Sequence, residues 1–134
     1  MRFTPTILCV DDDEDDQLFL REVILSQPHS FELKEVKNGY EAIIYLEACL
    51  LKEEMPCLII MDLNMPKMDG KETIRKIKDH PELALIPIAV FTTSARTADK
   101  NYFEDLGVFF ITKPFDYDVF KTKVADILRY CAGI

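Results

Sequence analysis

Five side chains stand where a run of apolar residues stops. Ile7-Leu8-Cys9-Val10 runs into Asp11-Asp12, and Cys57-Leu58-Ile59-Ile60-Met61 into Asp62. Ile88-Ala89-Val90-Phe91 ends on Thr92, and Val108-Phe109-Phe110-Ile111-Thr112 on Lys113. Carboxylates, a hydroxyl and an ammonium gathered at one place are suited to binding a divalent cation and handling a phosphoryl group. Their distance apart in the chain means that only the fold can gather them.

The runs themselves say how. Short, continuous, β-branched and aromatic stretches read as strands buried on both faces, the kind found in a parallel sheet covered by helices. In such open sheets the site lies beyond the carboxyl ends of the strands, which is where the polar residues fall. Helical stripes alternate with the runs: Phe19, Leu20, Val23 and Ile24; Ala42, Ile43, Leu46 and Leu50; Ile74 and Ile77; and Phe120, Val124, Ile127, Leu128 and Cys131. A weaker helix is predicted over about residues 97–106, closed by Gly107. Phe31-Glu32-Leu33-Lys34-Glu35-Val36 is partly alternating and charged, so it is expected at a sheet edge. Turn signals at Asn38-Gly39, Asp69-Gly70 and Pro87 separate the elements. The expectation is one α/β domain over residues 1–134, a (βα)5 doubly wound sheet with no linker or repeat.

Composition bounds the rest. With 134 residues, 49% of them apolar, the chain can bury a core without staples. No apolar stretch reaches the length of a membrane span, and the N-terminus shows no signal peptide, so a cytoplasmic location is expected. A net charge of −8 repels nucleic acid and anionic membrane, and neither is expected as a partner. Cys9, Cys49, Cys57 and Cys131 lack CxxC spacing and the density of a secreted framework, so neither zinc nor a disulfide is expected. The acids Asp13, Glu14, Asp15 and Asp16 read as the cap and first turn of a helix. An EF-hand is excluded by Asp16 at the position that needs glycine. His29 and His80, each beside a proline, read as solvated loop residues.

Val10-Asp11-Asp12, Met61-Asp62-Leu63-Asn64-Met65-Pro66-Lys67-Met68-Asp69-Gly70, Phe91-Thr92-Thr93-Ser94-Ala95 and Thr112-Lys113-Pro114-Phe115 together resemble the receiver domain of two-component response regulators. The resemblance runs from Thr6 to about Cys131 and implies a flavodoxin-like, three-layer fold with strand order 2-1-3-4-5. It implies that Asp62 accepts a phosphoryl group as an aspartyl phosphate, with self-catalysed transfer and loss but no classical enzyme activity. It further implies Mg2+ held directly by Asp12, mainly through water by Asp11, and by Asp62 and the carbonyl of Asn64. Lys113 would pair with Asp62 and then with the phosphoryl group, ahead of a cis peptide at Pro114. Thr92 and Phe110 would form a coupled switch acting on the face made by the fourth helix, fifth strand and fifth helix. A plain core or exposed edge position is the alternative for Phe110, and phenylalanine lacks the hydroxyl of the tyrosine that relatives often carry. Thr93 would restrict access to Asp62, while Asn64 and Ser94 sit at positions that influence dephosphorylation. The implied donor is a histidine kinase or histidine phosphotransfer protein, and the implied output is binding by a monomer or a phosphorylation-dependent homodimer. An aspartate-nucleophile phosphatase is disfavoured because Asn64 replaces the acid needed two residues beyond the nucleophile. A flavodoxin-like cofactor site is disfavoured because the first loop is acidic where phosphate would have to sit. A receiver that binds its partner without phosphorylation is the remaining alternative.

Overall fold

The computed structural model describes residues 4–63, 69–92, 97–112 and 117–132. Five strands, β1 (Thr6–Val10), β2 (Glu32–Val36), β3 (Leu58–Asp62), β4 (Ile88–Thr92) and β5 (Phe109–Thr112), form one parallel sheet in the order β2-β1-β3-β4-β5. The helices are α1 (Glu14–Leu25), α2 (Gly39–Lys52), α3 (Gly70–Asp79), α4 (Thr97–Asp105) and α5 (Tyr117–Ala132).

Successive strand side chains point to opposite faces, and this splits each apolar run between two cores. Leu8, Val10, Ile59, Met61, Ile88 and Val90 pack with Ala42, Leu46, Ile74, Ile77 and Phe103, on the side of α2, α3 and α4. Ile7, Cys9, Leu58, Ile60, Ala89 and Phe91 pack with residues of α1 and α5 on the other side. There Phe120 lies against Phe19 and Phe91, with ring centroids 5.0 and 5.3 Å apart. The three layers and the strand order match the sequence expectation. So does β2, whose exposed Glu32 and Lys34 lie at the sheet edge.

The helix starts are set by their caps. Asp13 accepts from the N–H groups of Asp15 and Asp16, and Asn38 from that of Glu41. Gly107, at φ +75°, follows α4 in the left-handed conformation that glycine adopts at low cost.

Two expectations are corrected. Cys57 and Cys131 are joined in a disulfide, with Cα atoms 5.0 Å apart, so the start of β3 is linked to the end of α5. These residues lie 74 apart in the sequence, and only the packing of α5 over the sheet brings them together. His80 is a structural acceptor, its Nδ1 taking the N–H groups of Glu82 and Leu83 at 3.2 and 3.4 Å. The 3-10 turn at Leu83–Leu85 follows and leads into β4.

Candidate metal and phosphoryl site

The ladders bring the acids together before any side chain is considered. Val10 pairs with Met61, so the residues that follow, Asp11 and Asp62, reach the same level at the carboxyl edge of the sheet. Among the described residues, Asp11, Asp12 and Asp62 form the one cluster of three metal-capable side chains, each offering a carboxylate oxygen within 4.8 Å of the others. Asp11 and Asp62 are half-buried and Asp12 is exposed. The Oδ1 of Asp11 accepts the N–H of Asp13 at 2.9 Å, which holds its carboxylate against the helix start. Asp13, Glu14, Asp15 and Asp16 serve α1 as cap and first turn, as their sequence positions suggest.

Gly70, read in the sequence only as a turn residue, and Gln17, which no motif singled out, support this corner. A Cβ built on Gly70 would lie 2.6 Å from Leu63 Cδ2, 2.9 Å from Leu63 Cα and 3.3 Å from the Asp62 carbonyl. Glycine therefore lets the start of α3 close onto the end of β3, where Gly70 N–H donates to the Leu63 carbonyl. Gln17 is buried, and its Nε2 donates toward the carbonyls of Cys9, Asp11 and Val36. The signal was present in the sequence: Gln17 is a polar residue spaced at three and seven from Leu20 and Ile24 on the core stripe of α1.

Thr92 closes β4, fully buried, one residue beyond Phe91, the ladder partner of Asp62. Phe110 pairs across the ladder with Val90 and is half-buried, its ring 6.1 Å from that of Phe103 on α4. It is thus neither fully core nor a bare edge aromatic. Near the start of α4, buried Asp99 accepts from Lys71 Nζ at 3.1 Å, and the same ammonium sits 5.4 Å over the Tyr102 ring. These contacts tie α3 to α4. Asn64, Thr93, Ser94, Lys113 and Pro114 lie outside the described residues.

The field at this corner is negative. Burial, reinforced by the charges of Glu35 and Asp11, pushes the Cys9 thiol up to about 12. Arg21 forks onto Glu35, its Nε donating to Oε1 at 3.0 Å and its Nη2 to Oε2 at 2.8 Å, in the bidentate geometry that guanidinium favours. Three hard oxygen donors of net negative charge, close enough to share one ion, suit a divalent cation such as Mg2+ or Mn2+.

Comparison with known proteins agrees with the fold. The response regulator receiver domain family matches residues 7–125. Response regulator Rcp1 of Synechocystis is 37% identical over 95 residues, an alignment spanning 69% of this chain and 65% of that protein. The polar-differentiation response regulator DivK of Brucella anthropi is 29% identical over 124 residues, covering 92% of this chain and 95% of DivK. Among solved structures, the phosphorylated cyanobacterial phytochrome response regulator RcpA superposes with a TM-score of 0.84 at 31% identity, over 97% of this chain and 95% of its own. The Mn2+-bound form of Rcp1 does so with a TM-score of 0.80 at 31% identity, over 93% and 92%. A parallel sheet in the order β2-β1-β3-β4-β5, acids at the ends of β1 and β3, and a family match over most of its length agree: this chain belongs to the response regulator receiver domains of two-component signalling.

Proposed function

We propose that this receiver domain is a phosphoacceptor that takes a phosphoryl group onto Asp62 from a histidine kinase or a histidine phosphotransfer protein. The observation that carries the reading is the convergence of Asp11, Asp12 and Asp62 within 4.8 Å of one another at the carboxyl edge of the sheet. In the transfer, an oxygen of ionised Asp62 forms the new O–P bond. The P–N bond to the donor imidazole breaks, and its electron pair returns to the ring nitrogen, which takes a proton from water. Asp12 and Asp62, together with Asp11 and the carbonyl of Asn64, would hold Mg2+. When bound, the ion offsets the repulsion between an anionic nucleophile and an anionic donor. Lys113 pairs with the phosphoryl oxygens.

The names of two similar structures, a phosphorylated RcpA and an Mn2+-bound Rcp1, describe those proteins and support extending the same chemistry to this chain. The signal leaves by binding, through a Thr92 and Phe110 rearrangement that alters the α4-β5-α5 face. No helix of the described residues is long and apolar enough to cross a membrane, which accords with work in the cytoplasm.

The test is intact-protein mass after incubation with acetyl phosphate and Mg2+, with a chelator and Asp62→Ala as controls. The expected result is one phosphoryl adduct that requires both the ion and Asp62. Absence of an adduct in protein shown separately to bind the ion overturns the reading in favour of a phosphorylation-independent interaction module.

A further inference from the structure

Resting on that reading of the acid cluster, we infer that Gln17 is a positioning residue for the divalent-cation site: its side-chain amide takes over where the β1-β2 ladder ends at Val10 and fixes the main chain that carries the Asp11 carboxylate.

The ladder between β1 and β2 ends at the Val10 and Val36 pair. The next residue, Asp11, must leave the sheet while still aiming its carboxylate at Asp62. Its N–H donates to the Val36 carbonyl at 3.1 Å, one last bond of sheet type. On this side of β1 the ladder goes no further. Gln17 takes over: its Nε2 lies 3.1 Å from the Asp11 carbonyl, 3.1 Å from that of Val36 and 3.2 Å from that of Cys9. An amide nitrogen carries two hydrogens, so the three carbonyls share them around one point. Asp11 is therefore held at its N–H by Val36, at its carbonyl by Gln17, and at its carboxylate by the N–H of Asp13.

The other half of the amide shows that this contact is specific. Gln17 is only 8% exposed, and its Oε1 is buried with no hydrogen-bond partner among the described residues. Turning the amide over would set that oxygen against three carbonyl oxygens, so the orientation is dictated. An orphaned buried acceptor is unfavourable, and a leucine or methionine on the same stripe would avoid it. Retaining an amide here makes sense if the three-carbonyl clamp is what the position supplies. The clamp also joins the acid loop to α1, because the N–H of Gln17 donates to the carbonyl of Asp13, the capping residue. Groups that orient metal ligands in this way change metal affinity when they are removed.

The experiment is calorimetric titration of the full chain with Mn2+, well below its melting temperature, for wild type, Gln17→Met, Gln17→Asn and Val124→Ala. Gln17→Met keeps the length and removes the donor; Gln17→Asn keeps the amide but shortens its reach. Val124→Ala creates a defect in the α1-α5 core and serves as a destabilised control. The expected result is a Kd raised about tenfold in Gln17→Met, a smaller rise in Gln17→Asn, and a change under about twofold in Val124→Ala. Amide exchange in the metal-free protein should quicken at Asp11 and Asp13 in the Gln17 variants and not in Val124→Ala. If Gln17→Met does not fold, Gln17→Asn carries the same comparison. A Kd unchanged in the folded Gln17 variants, or raised equally in Val124→Ala, overturns the inference while leaving the acid site intact. Failure of the wild type to bind Mn2+ overturns the acid site itself, and the inference with it.

Discussion

The β1-β3 and β4-β5 sides of the sheet are built differently. On the β1-β3 side, main-chain bonds and close backbone approach hold the acids. The ladders run to Val10 and Asp62, Asp11 N–H bonds Val36, Gln17 bridges three carbonyls, and α3 closes onto Leu63 through Gly70. On the β4-β5 side the ladder runs to the Thr92 and Thr112 pair, and along the outer edge of β5 side chains meet at an open surface. Phe110 stacks loosely on Phe103 and lines a groove of about 450 Å³ with Glu104, Val108, Lys123 and Ile127. Hydrogen-bonded backbone admits one geometry, whereas an aromatic ring beside open space can occupy more than one. The half that must hold carboxylates at fixed separation is rigid, and the half proposed to report their state has room.

The largest expected effect is on the link beneath both halves. Reducing the Cys57 and Cys131 bridge, which closes a separation of 74 residues, should lower unfolding stability by about 2–4 kcal/mol. Because Cys57 precedes β3 and Asp62 ends it, Mn2+ affinity should not follow. Denaturant unfolding with and without reductant, paired with the Mn2+ titration, checks this, and a parallel loss of affinity would break the division into halves.

Next comes a direct contrast of substitutions. Gly70→Ala forces the end of β3 or α3 to shift, because the new Cβ meets Leu63 Cα at 2.9 Å. It should cost about 1–3 kcal/mol and weaken Mn2+ binding, whereas Phe110→Leu should cost less than about 1.5 kcal/mol and leave Mn2+ binding unchanged. Equal effects on affinity would mean that the two sides are not mechanically distinct.

A further contrast is read in alkali. The Cys9 thiol, raised from 9.0 to about 12, keeps its proton in the folded chain while the unfolded chain loses its own. The stability that depends on this proton is therefore complete below pH 9 and is lost as pH rises toward 12. Tyr45, raised from 10.0 to about 12 chiefly by burial, adds to the upper part of that fall. Chemical denaturation across this range should give a shallower profile for Cys9→Ala, which would place the alkaline sensitivity on the acid side.

Much of this arrangement was legible in the chain. Continuous apolar runs marked strands covered on both faces, and the acid or hydroxyl ending each run marked the site edge. Partly alternating residues marked β2 as an edge strand, and Asn38, Asp69 and Gly107 marked helix ends where they occur. Less legible were residues whose role depends on a partner from another element. His80 looked like a solvated loop histidine until the 3-10 turn gave it two N–H groups to accept. Lys71 and Asp99 form a pair across 28 residues that no local pattern announces. The cysteines read as free because spacing rules capture local frameworks, not a contact between the start of a strand and the end of the last helix.

The sequence by itself determined the elements, their order along the chain and the acids that end β1 and β3, because hydrophobic period and strand-end chemistry are local properties. It could place Asp11, Asp12 and Asp62 at one edge. Only the tertiary structure decided that their oxygens lie within 4.8 Å, that Gln17 clamps the loop between them, and that α5 is tied to β3. Those facts depend on register and on the closeness of packed elements, which are set when separate parts of the chain compete for the same space.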